Sequence, residues 1–412
     1  MSHKTTYTII FLLVVILAVF GWYFFFIKST PTPISDTTSD NSDLFPFGSN
    51  TSNDSGQIGT VKPNNGQGST TIDLSGSNSA LQPRLRKVSD DQVSGAILFD
   101  RGGFSVIHYM DRATGHIFES NADTVTKTKI SNITMPKIYE TLWSNDGLEL
   151  IARYLKDDGV TIQSFYGVLP ATTTSNSSVE GYFLPSNIKE LSLFDKKVIY
   201  LDPTQNGILV SSNIDGGKKV LSTNLYSRDW LLTLANTKTA LVGTKPSGLV
   251  GGDLYVLDIA TGIKTKIMTD ILGLTGTISP DGNRVFASAE QGGGVASAIY
   301  SISDKKMDTL SLKTLSDKCA WSSKNKTVIY CAVPVSIPNG VYPDDWYQGT
   351  VSFSDRLWKI NTTNQETDLL LDPSIETGYD MDMIKLYVGP SDSQIIFINK
   401  KDSSLWVLDI QE

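Results

Sequence analysis

An all-β propeller of about seven four-stranded blades is the fold this chain predicts, and three observations carry the expectation. Residues 81–412 consist of short apolar or alternating runs broken by Gly, Asn, Asp and Pro, with no long helical stripe. One unit of strand, tight polar turn, strand, loop and strand recurs through them. Divided by seven, that stretch gives about 47 residues per unit, inside the ~40 to 50 of a propeller blade.

Ahead of this body, residues 9–27 are apolar or aromatic apart from Gly21. At about 1.5 Å per residue they reach roughly 29 Å, the thickness of a bilayer core. Trp22, Tyr23, Phe24, Phe25 and Phe26 run straight into Lys28 without a small-residue cleavage site, which predicts an uncleaved signal anchor. Lys4 and the amino group precede the segment, whereas Lys28 is followed by Asp36, Asp40 and Asp43. That balance favours a cytoplasmic tail of residues 1–8, a single span in the cytoplasmic membrane, and a body outside the cytoplasm. Residues 28–80 are dominated by Ser, Thr, Asn, Gly, Asp, Pro and Gln, too polar to offset chain entropy by burial, and read as a flexible linker. Leu44, Phe45, Pro46 and Phe47 interrupt it and are either a short docking motif or chance.

Within the body the turn recurs as Trp143-Ser-Asn-Asp-Gly147, Ile278-Ser-Pro-Asp-Gly282, Trp321-Ser-Ser-Lys-Asn325 and Val388-Gly-Pro-Ser-Asp392, with weaker copies at residues 193–197 and 234–238. The third strand recurs as Leu254-Tyr-Val-Leu-Asp258, Ile299-Tyr-Ser-Ile-Ser303, Leu357-Trp-Lys-Ile-Asn361 and Leu405-Trp-Val-Leu-Asp409, with a degenerate copy at His108-Tyr-Met-Asp111. Alternating aromatics and aliphatics suit a strand packed on both faces between neighbouring sheets. The last interval between turns is about 68 residues against about 42 to 50 elsewhere, so it must hold an insertion. The final repeat stops after its third strand, and Arg84 to Val88 are expected to supply the fourth, covering an otherwise open edge.

At Ser279-Pro-Asp-Gly282 followed by Arg284-Val-Phe-Ala-Ser288, and at Leu405-Trp-Val-Leu-Asp409, the sequence resembles the repeats of TolB-type propellers and of the prolyl oligopeptidase propeller domain. The resemblance implies fold more than chemistry, because Pro, Asp and Gly there specify a turn. TolB-type relatives bind partner proteins outside the cytoplasmic membrane, often at the central opening, and the resemblance implies such a role. The oligopeptidases carry their serine on a separate hydrolase domain, for which this chain has neither the length nor a G-x-S-x-G elbow.

Lysine and arginine number 35 against 43 acidic residues, a net charge of -8 without a basic cluster, which argues against nucleic-acid binding. Two cysteines and three histidines are too few for a zinc framework, and no motif implies a cofactor. His108 and His116 match no metal spacing and read as structural. Cys319 and Cys331 flank one turn on consecutive strands and form either a cross-strand disulfide or two buried thiols.

Loops between second and third strands share a face with the connections between blades, and that face is expected to bind. Arg101-Gly-Gly103, residues 245–252, Glu290 to Gly294 and residues 334–349 are assigned to it. In the last of these, Tyr342, Asp344, Asp345, Trp346 and Tyr347 offer aromatic faces and paired carboxylates for a ligand, or pack the loop and cap a turn. The expected function is a membrane-tethered module that binds or scaffolds a protein, peptide or envelope polymer. The alternative is a glycan- or peptide-acting hydrolase or lyase, in which Asp344, Asp345, Glu290 and Arg101 converge at the channel mouth.

Overall fold

A computed structural model describes residues 82–170, 177–227 and 229–410; the tail, the apolar segment 9–27, the linker and its Leu44 to Phe47 motif lie outside them. No helix among the described residues is long and apolar enough to cross a membrane. They form seven four-stranded antiparallel sheets, the blades of a propeller. Blades 1 to 6 span residues 93–129, 138–183, 191–224, 230–272, 275–309 and 319–371, and each runs in chain order from its first strand to its fourth. First strands of blades 1 and 2, of blades 3 to 7 in turn, and of blades 7 and 1 contact one another around the axis, so the blades grow outward from the channel.

Alternation places apolar side chains on both faces of each sheet, and neighbouring sheets bury them together. Ile97 and Phe99 of blade 1 share a core with Trp143 and Leu150 of blade 2. Phe286 and Ile299 of blade 5 pack on Trp321 and Ile329 of blade 6. Tyr330 and Leu357 of blade 6 pack on Val388 and Phe397 of blade 7. Local chemistry sets the first turn of blade 5. Ser279 Oγ donates to Asp281 Oδ1 at 2.6 Å and accepts Arg284 N at 2.9 Å, while Gly282 takes a φ of 74° that an L side chain disfavours. Ser144, Asp146, Glu149 and Gly147 repeat the device in blade 2.

Blade 7 closes the ring. Its first three strands are Met383–Val388, Gln394–Asn399 and Leu405–Asp409, and its fourth is Leu85–Ser89, from the other end of the domain. Leu85 pairs with Leu408 and Lys87 with Trp406 in an antiparallel ladder, as the missing strand of the last repeat requires. Arg86, 5% exposed, makes a two-pronged pair with Asp409 at 2.5 and 2.8 Å and reaches the carbonyl of Ala122 in blade 1 at 2.9 Å.

Blade 1 corrects the sequence reading. His108 to Asp111 lie in its second strand, Phe104–Asp111, not its third, and Arg101-Gly-Gly103 therefore join its first and second strands. Arg101 thus lies on the face of the S-P-D-G turns, opposite the expected binding face. The misreading has a physical cause. Asp111 Oδ1 accepts Thr114 N and Oγ1 at 2.7 and 2.5 Å, and Asp258 Oδ1 accepts Thr261 N and Oγ1 at 2.8 Å each. The same Asp-x-x-Thr-Gly turn ends a second strand in blade 1 and a third strand in blade 4.

Replacing Arg86 by Ala should leave Asp409 half-satisfied and loosen the closing strand. We expect a loss of roughly 2–3 kcal/mol, less than for a fully enclosed pair because Asp409 stays partly exposed. Chemical denaturation of the folded domain measures it.

Candidate functional site

The insertion predicted by the long repeat interval is residues 335–354, between the second strand (Val328–Pro334) and third strand (Asp355–Asn361) of blade 6. It carries a short helix, Asp344–Gln348, and lies over the loops of neighbouring blades. Asp344 Oδ2 accepts the backbone N–H of Gly248 in blade 4 at 2.6 Å, and Gly340 N donates to Gly293 O in blade 5 at 2.9 Å. Two glycines permit this approach: a Cβ on Gly248 would stand 2.8 Å from the Tyr342 carbonyl oxygen, and one on Gly273 only 2.2 Å. Asp345 Oδ2 accepts Val341 N at 2.8 Å, closing the loop on itself.

Beneath the helix, Tyr342, Trp346 and Phe353 form a buried cluster with Val295 and Leu315. Trp346 Nε1 donates to both carboxylate oxygens of Asp382 at 3.2 and 3.1 Å. Lys400 of blade 7 sits 4.1 Å above its ring and donates to its carbonyl. Asp382 also accepts Ser352 Oγ and Phe353 N, at 3.1 and 3.0 Å. Lys318, just before blade 6, pairs with Asp382 at 2.5 Å and with Asp355 at 2.8 Å, and none of the three side chains is exposed. Trp346 therefore locks the insertion onto a buried charged node.

Beside the insertion, a cavity of about 250 Å³ opens among the first strands of blades 4, 5 and 6. Leu231, Leu254 and Leu274 form apolar wall, and Thr233 and Thr277 add hydroxyls. Glu190, preceding blade 3, and Asp317, preceding blade 6, are its two carboxylates, and neither forms an ion pair among the described residues. Burial pushes the Glu190 carboxyl up to about 7 against the nearby charge of Arg153, with Glu140 and Asp317 adding repulsion. Asp317 is accessible from the cavity, yet enclosure by the wall raises its carboxyl too. Tyr347 Oη donates to Asp317 Oδ2 at 3.0 Å, and burial, with that negative neighbour, holds the phenol well above its usual range.

The structure brings Tyr342, Asp344, Asp345, Trp346 and Tyr347 together on one face, with Glu290 close by, but in unlike roles. Tyr342 and Trp346 are core, Asp344 and Asp345 are bound to backbone N–H groups, and only Tyr347 borders the cavity carboxylates. Glu290 Oε1 accepts Gly293 N at 2.7 Å within its own hairpin. Arg101, on the opposite face, pairs with Glu119 at 2.6 Å, and Glu119 also meets His108 Nε2 at 2.9 Å. The His108 hydrogen bond, with Arg101, holds the Glu119 carboxyl down near about 2. The four residues expected to converge for hydrolysis share no pocket. Cys319 and Cys331, directly opposite on the first two strands of blade 6, form a disulfide. No group of three or more potential ligands for a metal occurs among the described residues. Glu190, Asp317, Lys318, Asp355 and Asp382 carry no sequence motif, and the reading of the sequence missed them.

No known protein family matches the chain, and no curated protein matches it either.

Two outcomes are expected from substitutions here. Trp346→Ala should cost about 3–5 kcal/mol and open residues 335–354 to protease, as denaturation and limited proteolysis would show. For Glu190, the raised native value means that the buried carboxyl weakens the fold increasingly as pH rises from the unfolded value toward about 7. Glu190→Gln should therefore raise the melting temperature at pH 8 and change it little at pH 4.

Proposed function

We propose that this protein is a non-catalytic binding module, tethered to the cytoplasmic membrane with its propeller outside the cytoplasm, that takes a cationic segment of a protein or peptide into the cavity beside the blade 6 insertion. The observation that carries the reading is a pair of cavity carboxylates, Glu190 and Asp317, over an apolar wall and without a direct ion pair among the described residues. A lysine side chain matches that arrangement: its methylene stem lies along Leu231 and Leu254, and its ammonium meets the carboxylates. Tyr347, at the rim, adds an aromatic face. The rest of the insertion supports the site by fixing Tyr347 in place.

Placement outside the cytoplasm is supported by the apolar segment 9–27 and its flanking charges, and by a disulfide, which persists in oxidising compartments. The likeness of the repeats to TolB-type propellers supports a partner-binding role at the channel. Fold alone does not fix function, so the reading stands on the cavity.

Trilysine is a direct probe. Calorimetric titration at pH 8 and low salt should detect binding, with triglutamate inert. Lowering the pH to 6 protonates Glu190 and should weaken it roughly tenfold. The double variant Glu190→Gln, Asp317→Asn should abolish it. Equal affinity in the double variant, or no binding by trilysine at pH 8, would overturn the cationic-segment reading.

A further inference from the structure

Lys318, Asp355 and Asp382 form a closed chemical group that the binding reading does not use. The lysine lies in the 3-10 turn before blade 6, Asp355 opens that blade's third strand, and Asp382 directly precedes blade 7. All three side chains are fully enclosed, with Lys318 Nζ 5.0 Å from the Trp346 ring and 5.5 Å from that of Phe353. Nζ is 2.8 Å from Asp355 Oδ2, 2.5 Å from Asp382 Oδ1 and 3.0 Å from the Met383 carbonyl oxygen.

As an ion cluster this arrangement is poorly balanced. One cation serves two carboxylates out of reach of water, and Asp355 Oδ1 is buried without a hydrogen-bond partner. The two acids also sit in different surroundings. Asp382 accepts bonds from Lys318, Trp346, Ser352 and Phe353, and although burial works against it, the lysine charge and these bonds hold its carboxyl below the ordinary value. Asp355 accepts only Lys318 and Met383 N, and burial pushes its carboxyl up to about 6. Divergent environments of this kind separate an ionised base from a neutral acid.

We propose that Lys318 and Asp355 become joined by an intramolecular amide bond between Nζ and Cγ, with Asp382 as the base. Asp382 takes one proton from the ammonium. The freed lone pair attacks Cγ of Asp355 in its acid form, the carbon bonded to the Oδ2 that Nζ already contacts at 2.8 Å, so enclosure holds nucleophile and electrophile side by side. The C–N bond forms, the C–OH bond breaks, and the hydroxyl takes a second Nζ proton and leaves as water. One proton stays on the amide nitrogen, and the one on Asp382 donates to the new amide carbonyl. Nothing is oxidised or reduced. The product replaces a buried cation and carboxylate with a neutral group and crosslinks blade 6 next to the Trp346 lock.

Peptide mapping of the full chain decides the matter. Trypsin cannot cut after an acylated Lys318, so residues 314–324 and 327–356 should emerge as one branched peptide lighter by one water. The Cys319–Cys331 disulfide joins the same two peptides, so the digest must be reduced and alkylated first. A branch mapped by tandem mass spectrometry to Lys318 and Asp355 is the expected result, and Asp382→Asn should instead return three linear peptides, 314–318, 319–324 and 327–356, because trypsin again cuts after Lys318. Linear peptides from the wild-type chain would overturn the proposal. A branch on Asp382 would overturn the choice of electrophile, and a crosslink that persists in Asp382→Asn would overturn its role as base.

Discussion

Sheets arranged in a ring have no free face, because each buries both sides against its neighbours, and such a ring is stable only if its ends are joined. Here the joint is the antiparallel pairing of Leu85–Ser89 with Leu405–Asp409, fastened by Arg86 between Asp409 and the Ala122 carbonyl. Every inter-blade core depends on it. The cluster of Val88, Leu98, Ile107, Ile396 and Val407 draws on both ends of the domain at once, so losing the clasp opens apolar surface as well as a sheet edge.

On this closed frame the distinctive feature is the blade 6 insertion and its anchorage. A 20-residue excursion can hold a fixed position only if its backbone polar groups are satisfied and its apolar residues are covered. Gly248 and Gly293 supply backbone partners, Val295 and Leu315 supply cover, and Asp382 receives the indole N–H of Trp346. The carboxylates beside it behave differently from those on the insertion. Asp344 and Asp345 are occupied with backbone donors, while Glu190 and Asp317 face a cavity and form no ion pair among the described residues.

Features that act over a few residues were legible without coordinates. The S-P-D-G turn works through Ser279, Asp281 and Gly282 alone, so its copies marked the blades, and the long spacing after Ser323 marked the insertion. Local chemistry also misled. Because Asp111 and Asp258 build the same turn after different strands, blade 1 was read one strand out of step and Arg101 was assigned to the wrong face. Trp346 stood out in the sequence as a candidate contact, but its burial followed from an aspartate 36 residues away.

By itself the sequence determined the all-β class, the blade repeat, the closing strand and the place of the insertion, because periodicity, turn chemistry and a missing strand are properties of the chain order. Only the tertiary structure decided which charged residues matter. Glu190 and Asp317 come from connections before two different blades, and Lys318, Asp355 and Asp382 from three separate points of blades 6 and 7. Along the chain each is an ordinary polar residue near a strand end. Their chemistry arises from enclosure and proximity, which a ring of blades creates between segments that no sequence spacing connects.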